Sequence, residues 1–149
     1  MTLNDKGYQL IAKHEGLRLS PYLCPANVPT IGYGNTFYPS GKKVTMQDKP
    51  ITQATAMWML KETANKFATD VDKLVTSNIT QNQFNALVSF AFNLGSAALG
   101  RSTLLRKVNL NPKDTSITQE FMKWNKAGGR VLSGLTKRRA DEAALYFTP

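Results

Sequence analysis

Leu3, Gly7, Leu10 and Ile11 recur at steps of three and four, the spacing that places residues on one face of a helix. Thr2 followed by Asp5 makes a capping-box-like start, so the pattern predicts a helix over about Leu3–His14. From Gly16 to Gly41 the texture changes, with four prolines and four glycines interrupting Tyr, Val, Thr and Ile. That mixture predicts short strands and tight turns, with a hairpin near Thr30–Phe37 and a further strand near Lys42–Thr45. Pro50 and Thr52 then open a long helical pattern in which Ala56, Leu60, Thr63, Phe67, Val71 and Leu74 mark the inward face. Continued to about Val75, it would span roughly 35 Å.

Thr80 and Gln83 form a capping box for the next helix. Its run from Phe84 to Phe92 is apolar nearly all round, which predicts burial at the centre of a helical lobe, with Gly95 as C-cap. Shorter helices are expected near Ser102–Val108 and Ile117–Asn125. The last helix is expected over Thr136–Phe147, with Ala140, Ala143, Ala144 and Phe147 facing inward. Neither an internal repeat nor a low-complexity segment is present. The fold class is α+β: one domain over residues 1–149, with a sheet lobe at about 15–50 and a helical lobe at about 76–149 that includes the first helix.

Composition changes this picture in two respects. An apolar fraction of 42% and a charged fraction of 19% are ordinary for a globular chain, but the net charge of +9 points to an anionic partner. Nucleic acid, acidic lipid and an acidic cell-wall polymer all qualify. With one cysteine and one histidine, a disulfide framework is excluded and a dedicated zinc site is not expected. The first twenty residues lack an uninterrupted apolar stretch, so neither a signal peptide nor a membrane anchor is expected there, and the protein should accumulate in the cytoplasm.

Glu15 stands where the first helix stops, just before Gly16. A carboxyl there meets the negative end of the helix dipole, which with partial burial favours the protonated form that a general acid needs. The plain alternative is a surface glutamate that ends a helix. Cys24 and Thr30 follow in the sheet region, where a small buried thiol and a strand threonine are the corresponding plain readings. Gly32 and Gly34 would let a ligand approach the backbone, or would simply mark a bulge or turn.

The run His14-Glu15-Gly16-Leu17-Arg18-Leu19 through Pro21-Tyr22, then Thr30-Ile31-Gly32-Tyr33-Gly34, resembles the active-site region of the phage-type lysozymes, the endolysins and muramidases of glycoside hydrolase family 24. That family's pattern is a Glu, eight residues, an Asp or sometimes a Cys, five residues and a Thr; here it reads Glu15, Cys24, Thr30. Thr80 to Leu87 with Phe92 to Gly95 resembles the family's central helix. Trp124 through Gly128-Gly129, then Gly134-Leu135 with Arg138, Arg139 and Glu142, resembles its C-terminal signature. The three blocks occur in order along nearly the whole chain.

The resemblance implies a lysozyme-like fold and hydrolysis of the β-1,4 bond between N-acetylmuramic acid and N-acetylglucosamine, without metal or cofactor. Glu15 would protonate the leaving oxygen, position 24 would help hold or activate the attacking water or stabilise developing positive charge, and Thr30 would orient the water. Phe92 and Asn93 match the stretch along the cleft wall and are weaker candidates for sugar contact; core packing and a helix-end hydrogen bond are their plain alternatives. Arg138 would pair with Glu15, a contact that substrate must loosen before acid catalysis, or would be a solvated arginine on the last helix. A free thiol is only about a few per cent thiolate at neutral pH, so either nearby Lys or Arg lowers the Cys24 pKa or the neutral thiol plays a lesser role; a thiolate could also attack the anomeric carbon, which leaves inversion or retention open. The expected partner is peptidoglycan, met by a monomer without stable membrane insertion and without nucleic acid, in the wall of the host cell after release through a membrane pore. A lytic transglycosylase acting on the same bond, and a non-catalytic wall-binding module, are the rival functions. A DNA-binding role rests on charge alone, since neither a basic recognition helix nor exposed aromatics among basic residues are evident.

Overall fold

The computed structural model describes residues Met1–Pro149. Its elements, in order, are α1 (Asp5–Glu15), β1 (Arg18–Leu23), β2 (Pro29–Gly32), α2 (Gln53–Leu74), α3 (Gln81–Leu94), α4 (Ser96–Gly100), α5 (Thr103–Leu110), α6 (Ile117–Met122), β3 (Lys126–Ala127), β4 (Arg130–Val131) and α7 (Ser133–Tyr146). This is the α+β class that the hydrophobic pattern predicts. No helix is long and apolar enough to cross a membrane.

α3 is the axis of the helical part. Every residue from Asn82 to Ala91 is buried, and α1, α2, α4 and α7 all pack on it. A helix enclosed on all sides must satisfy the polar groups it carries, and here they dock its neighbours. Asn85 donates to Asn4 Oδ1 at 2.6 Å and thereby holds the start of α1. Asn82 donates to the carbonyls of Thr148 and Pro149 at 3.1 and 3.2 Å, which ties down the end of the chain. The Thr80–Gln83 capping box closes its N-terminus in both directions.

The cap of α1 is Asn4, whose side chain accepts from the Gly7 amide, and not the Thr2 pattern expected from the sequence. Leu3 is drawn into the core, so the first residue free to cap is the one after it. Where α1 crosses α3 the helices nearly touch at Gly7: a Cβ there would lie 2.6 Å from Leu3 Cδ2 and 2.7 Å from Asn85 Oδ1.

α2 runs as expected from its Thr52 cap, but its inward set is shifted. Met59, Ala64 and Ala68 join Ala56, Leu60 and Val71 in the core, while Thr63 and Phe67 are only half-buried. The two alanines admit α3 at close range, and Phe67 turns to meet Phe92 with ring centroids 5.5 Å apart. The sheet also differs. β1 pairs antiparallel with β2, with Tyr22 opposite Thr30 and a bulge between Arg18 and Tyr22. The expected hairpin at Thr30–Phe37 is instead a tight turn closed by an Ile31–Asn35 bridge, with Gly32 and Gly34 at φ 69° and 88°. The segment near Lys42–Thr45 pairs through a single Phe37–Lys43 bridge. The helix expected over Ile117–Asn125 ends at Met122, and after it comes a two-stranded hairpin, β3–β4, that the pattern did not predict; it turns at Gly128-Gly129, both with positive φ.

α7 corrects the sequence reading most. Ala140, Ala144 and Phe147 are exposed, and the inward face consists of Arg138, Arg139, Glu142, Ala143 and Tyr146. An alanine stripe is the face a hydropathy pattern selects, but in this protein ionic partners wait on the other side.

The near-contact at Gly7 sets the first prediction. Gly7→Ala should destabilise the protein by about 1–3 kcal/mol through overpacking, although alanine is intrinsically the better helix former by about 1 kcal/mol. Urea unfolding of the two proteins, compared at equal m-value, measures the difference.

Candidate active site

Glu15 is the last residue of α1, and Gly16, at φ 69°, lets the chain turn away towards β1. The carboxyl is thus left at the mouth of the groove between the hairpin and the helices, with its side chain 21% exposed. Its Oε1 accepts from Arg138 Nη1 at 2.6 Å. Its Oε2 faces Gly34, where a Cβ would sit 3.5 Å away. A side chain at position 34 would therefore crowd the carboxyl.

Arg138 is 4% exposed and has little freedom. Its Nη2 donates to the Ser89 carbonyl at 3.2 Å and its Nε to Glu142 Oε2 at 3.3 Å. Glu142 is fully buried and also accepts from Ser89 Oγ at 2.6 Å and Arg139 Nη2 at 3.1 Å. Its other oxygen lies 2.7 Å from Arg139 Nε. Arg139 reaches on to Asn93 Oδ1 at 2.9 Å and lies over the Phe90 ring. Burial pushes the Glu142 carboxyl upward from its ordinary range, and Arg139, Ser89 and Arg138 oppose that push. Burial likewise holds Arg139 below its ordinary value. The result is a four-member lattice, Ser89–Glu142–Arg138–Arg139, of which only Arg138 extends to the groove.

A hollow of about 540 Å³ opens beside Glu15, walled by Lys13, Asn93, Leu135, Lys137 and Arg138 among others. A second, of about 260 Å³, begins at Gly34 and runs between Tyr38 of the sheet part and Glu62, Thr63 and Lys66 of α2. Because Gly34 abuts Glu15, the two hollows flank one carboxyl. No group of three or more His, Cys, Asp or Glu is arranged to hold a metal ion.

Glu15, Arg138 and Asn93 are thus brought to one hollow. Phe92 is not part of that lining; it is half-buried against Phe67. Cys24 lies one residue past β1, in the connection closed by Asn27 N–H to Cys24 C=O at 2.8 Å and Cys24 N–H to Val28 C=O at 3.1 Å. The backbone amides of Val28 and then Ala26 point at its sulfur and hold the thiol below its ordinary pKa. Thr30 is buried in β2, and its hydroxyl donates to the Val28 carbonyl at 2.8 Å. With its proton committed there, Thr30 Oγ1 is left as an acceptor towards any third group.

A family model described as phage lysozyme matches residues 12–142. The chain belongs to the phage lysozyme family. In this family, the endolysin of Acyrthosiphon pisum secondary endosymbiont phage 1 is 39% identical over 150 residues, covering 98% of this chain and 98% of that protein. The endolysin of Bacillus phage B103 is 39% identical over 148 residues, covering 99% of this chain. The chain spans about half, 55%, of the length of that relative and of the Bacillus phage PZA endolysin. Among solved structures, the endolysin from Escherichia coli O157:H7 phage FAHEc1 superposes with a TM-score of 0.91 at 35% identity, covering 99% of this chain and 94% of that one.

Ser89 and Asp141 had no place in the sequence reading. The available signal for Ser89 was its place as a lone serine inside the most apolar helix.

Glu142→Gln would leave two buried guanidiniums without their carboxylate. It should lower stability by about 3–5 kcal/mol, the usual cost of breaking a buried pair from one side. Chemical denaturation of the variant checks the magnitude.

Proposed function

We propose that the protein hydrolyses the β-1,4 bond between N-acetylmuramic acid and N-acetylglucosamine in bacterial peptidoglycan, and so lyses the host cell. The observation that carries this reading is the placement of Glu15: one carboxyl, at the meeting of two hollows, in a chain of the phage lysozyme family. A glycan chain laid along the groove would bring its glycosidic oxygen to that carboxyl. Glu15 donates a proton to the leaving oxygen as the bond to the anomeric carbon breaks.

Arg138 holds Glu15 through Oε1 alone, leaving Oε2 towards Gly34. Substrate loosens that pairing first, so that Glu15 takes up from solvent the proton it then delivers. Cys24 stands at the motif position of the second group, and in this reading it works on the opposite side of the sugar. Hydrogen bonding from the Val28 and then the Ala26 backbone lowers its pKa and so favours the thiolate, the form that would accept a proton from the attacking water. Thr30, free to accept, orients that water. No cofactor enters this scheme. Asn93, engaged by Arg139, acts on substrate through the shape of the cleft wall, whereas Phe92, packed on Phe67, lies outside that wall.

The net charge of +9, with Lys13 and Lys137 at the larger hollow, suits the anionic peptides and polymers of a cell wall and steers encounter in a salt-sensitive way. The relatives named endolysin support action on the host wall. Synthesis in the host cytoplasm and release through a membrane pore complete the reading, with the protein acting as a monomer.

Digestion of purified peptidoglycan, followed by mass analysis, tests the reaction. Wild type should release fragments with hydrated reducing ends, and Glu15→Gln should be slower by about 10²–10⁴. Fragments one water lighter would reassign the reaction to a lytic transglycosylase, and binding without any fragments would indicate a wall-binding module. The thiol makes a second prediction. Wild-type kcat should rise as pH passes upward through the lowered Cys24 pKa, because thiolate accumulates on that side. Cys24→Ser should lose the rise, and full activity of that variant at every pH would remove the thiolate from the scheme.

A further inference from the structure

The reaction scheme leaves one pair beside Glu15 unused. His14, the preceding residue, places its ring Nε2 2.9 Å from Asp141 Oδ2. Its side chain is only 9% exposed. Asp141 lies three residues after Arg138 on α7, so the two occupy the same face of that helix one turn apart. On α1, His14 and Glu15 are consecutive and leave the helix about 100° apart. The end of α1 is therefore attached to α7 at two points: Glu15 to Arg138 and His14 to Asp141.

The second attachment matters because the first does not define a direction by itself. A single contact between Glu15 Oε1 and one guanidinium nitrogen allows the last turn of α1 to pivot. The exit from the helix offers no restraint. Gly16 closes it with a long 3.4 Å hydrogen bond to the Ala12 carbonyl, and nothing lies within 4 Å of the place a Gly16 Cβ would occupy. Arg138 itself is immobile, held by Ser89 and Glu142. The remaining freedom is where the end of α1 sits against α7, and the pair from His14 restrains it.

The chemistry of the pair fits a neutral, directional hydrogen bond. His14 faces Lys13 and Glu15 on its own helix and Arg138 and Asp141 on α7. Burial, with the charges of Arg138 and Lys13, lowers its pKa against the opposing pull of Asp141. At neutral pH the ring is then uncharged, and Nε2–H donates to Asp141 while Nδ1 carries no proton. Lys13 reaches the same Asp141 oxygen at 3.0 Å, but its side chain is 57% exposed and the contact is correspondingly weak.

We propose that His14, through its hydrogen bond to Asp141, is a positioning residue that fixes the direction of the Glu15 carboxyl. The inference rests on the hydrolytic reading above for its effect on rate, but not for its effect on the helix end.

The experiment combines steady-state hydrolysis of soluble peptidoglycan fragments with amide hydrogen exchange in the free protein, for wild type, His14→Leu, His14→Gln, Asp141→Ala and the double variant His14→Leu/Asp141→Ala. His14→Leu and Asp141→Ala should each lower kcat about tenfold with KM unchanged, the signature of a misplaced group felt in the transition state. The double variant should be no slower than either single one, because both break the same link. His14→Gln, whose amide nitrogen reaches a similar place and can donate to Asp141, should recover most of the rate. Exchange of the Gly16 amide should quicken in His14→Leu and return towards wild type in His14→Gln. A raised KM at constant kcat, a glutamine variant as slow as the leucine one, or an unchanged rate in His14→Leu while wild type hydrolyses would each overturn the proposal. If wild type itself released no fragments, the hydrolytic reading would fall and Gly16 exchange alone would decide: quickened by leucine and not by glutamine, it supports the positioning role, and unchanged, it overturns it.

Discussion

Two arginines and a glutamate on one turn of α7 are buried together against a serine of α3, and this charged cluster is what the rest of the structure is arranged around. Glu142 has no exposure at all, and Arg138 and Arg139 are nearly as enclosed. Such burial is tolerable only when every charge has a partner and the geometry is fixed. Ser89, Glu142 and the Ser89 carbonyl provide that for Arg138, while Asn93 and Glu142 provide it for Arg139. The cluster therefore sets the rotation of α7, its register along α3 and the place of the end of α3.

From this anchoring the site acquires its precision. Arg138 leaves the buried lattice with one nitrogen and meets Glu15 at the groove. A catalytic carboxyl at a frayed helix end would ordinarily be poorly directed. Here the opposing post is rigid because its other bonds lie in the core, and the helix end is approached from the same face of α7 by Asp141. Gly34 contributes by what it lacks, since the free oxygen of Glu15 looks towards a position without a side chain. On the hairpin, Cys24 and the hydroxyl of Thr30 are held by the same short turn around Val28. Each half is organised by local hydrogen bonds, and α2 spans the two.

The charge distribution follows the same division. Glu15 is paired with Arg138, whereas Lys137 and Lys13, the latter also in contact with Asp141, stand at the larger hollow. The groove thus combines a fixed carboxyl with a cationic approach, a combination suited to a neutral sugar backbone that carries anionic side groups.

Much of the architecture was legible in the sequence because it depends on local periodicity and capping. The long helix after Thr52, the buried helix opened by Thr80 and Gln83, and the α+β class all follow from steps of three and four residues and from side chains that bond their own backbone. Glu15, Cys24 and Thr30 were marked by their resemblance to a family motif, which says nothing about what surrounds them here. Pattern failed wherever a distant partner outweighed local hydropathy. Asn4, and not Thr2, caps α1 because Asn85 reaches it from α3. Ala64 and Ala68, and not Phe67, face the core because α3 approaches closely there. α7 turns its arginines inward and its alanines out, because the buried Glu142 carboxylate and Ser89, 53 positions before it in the chain, stabilise those charges more than burying methyl groups would. The sequence by itself determined which elements form and which residues are chemically able; the tertiary structure decided which faces meet, since the energy of a buried charge depends on partners that only folding brings within 3 Å.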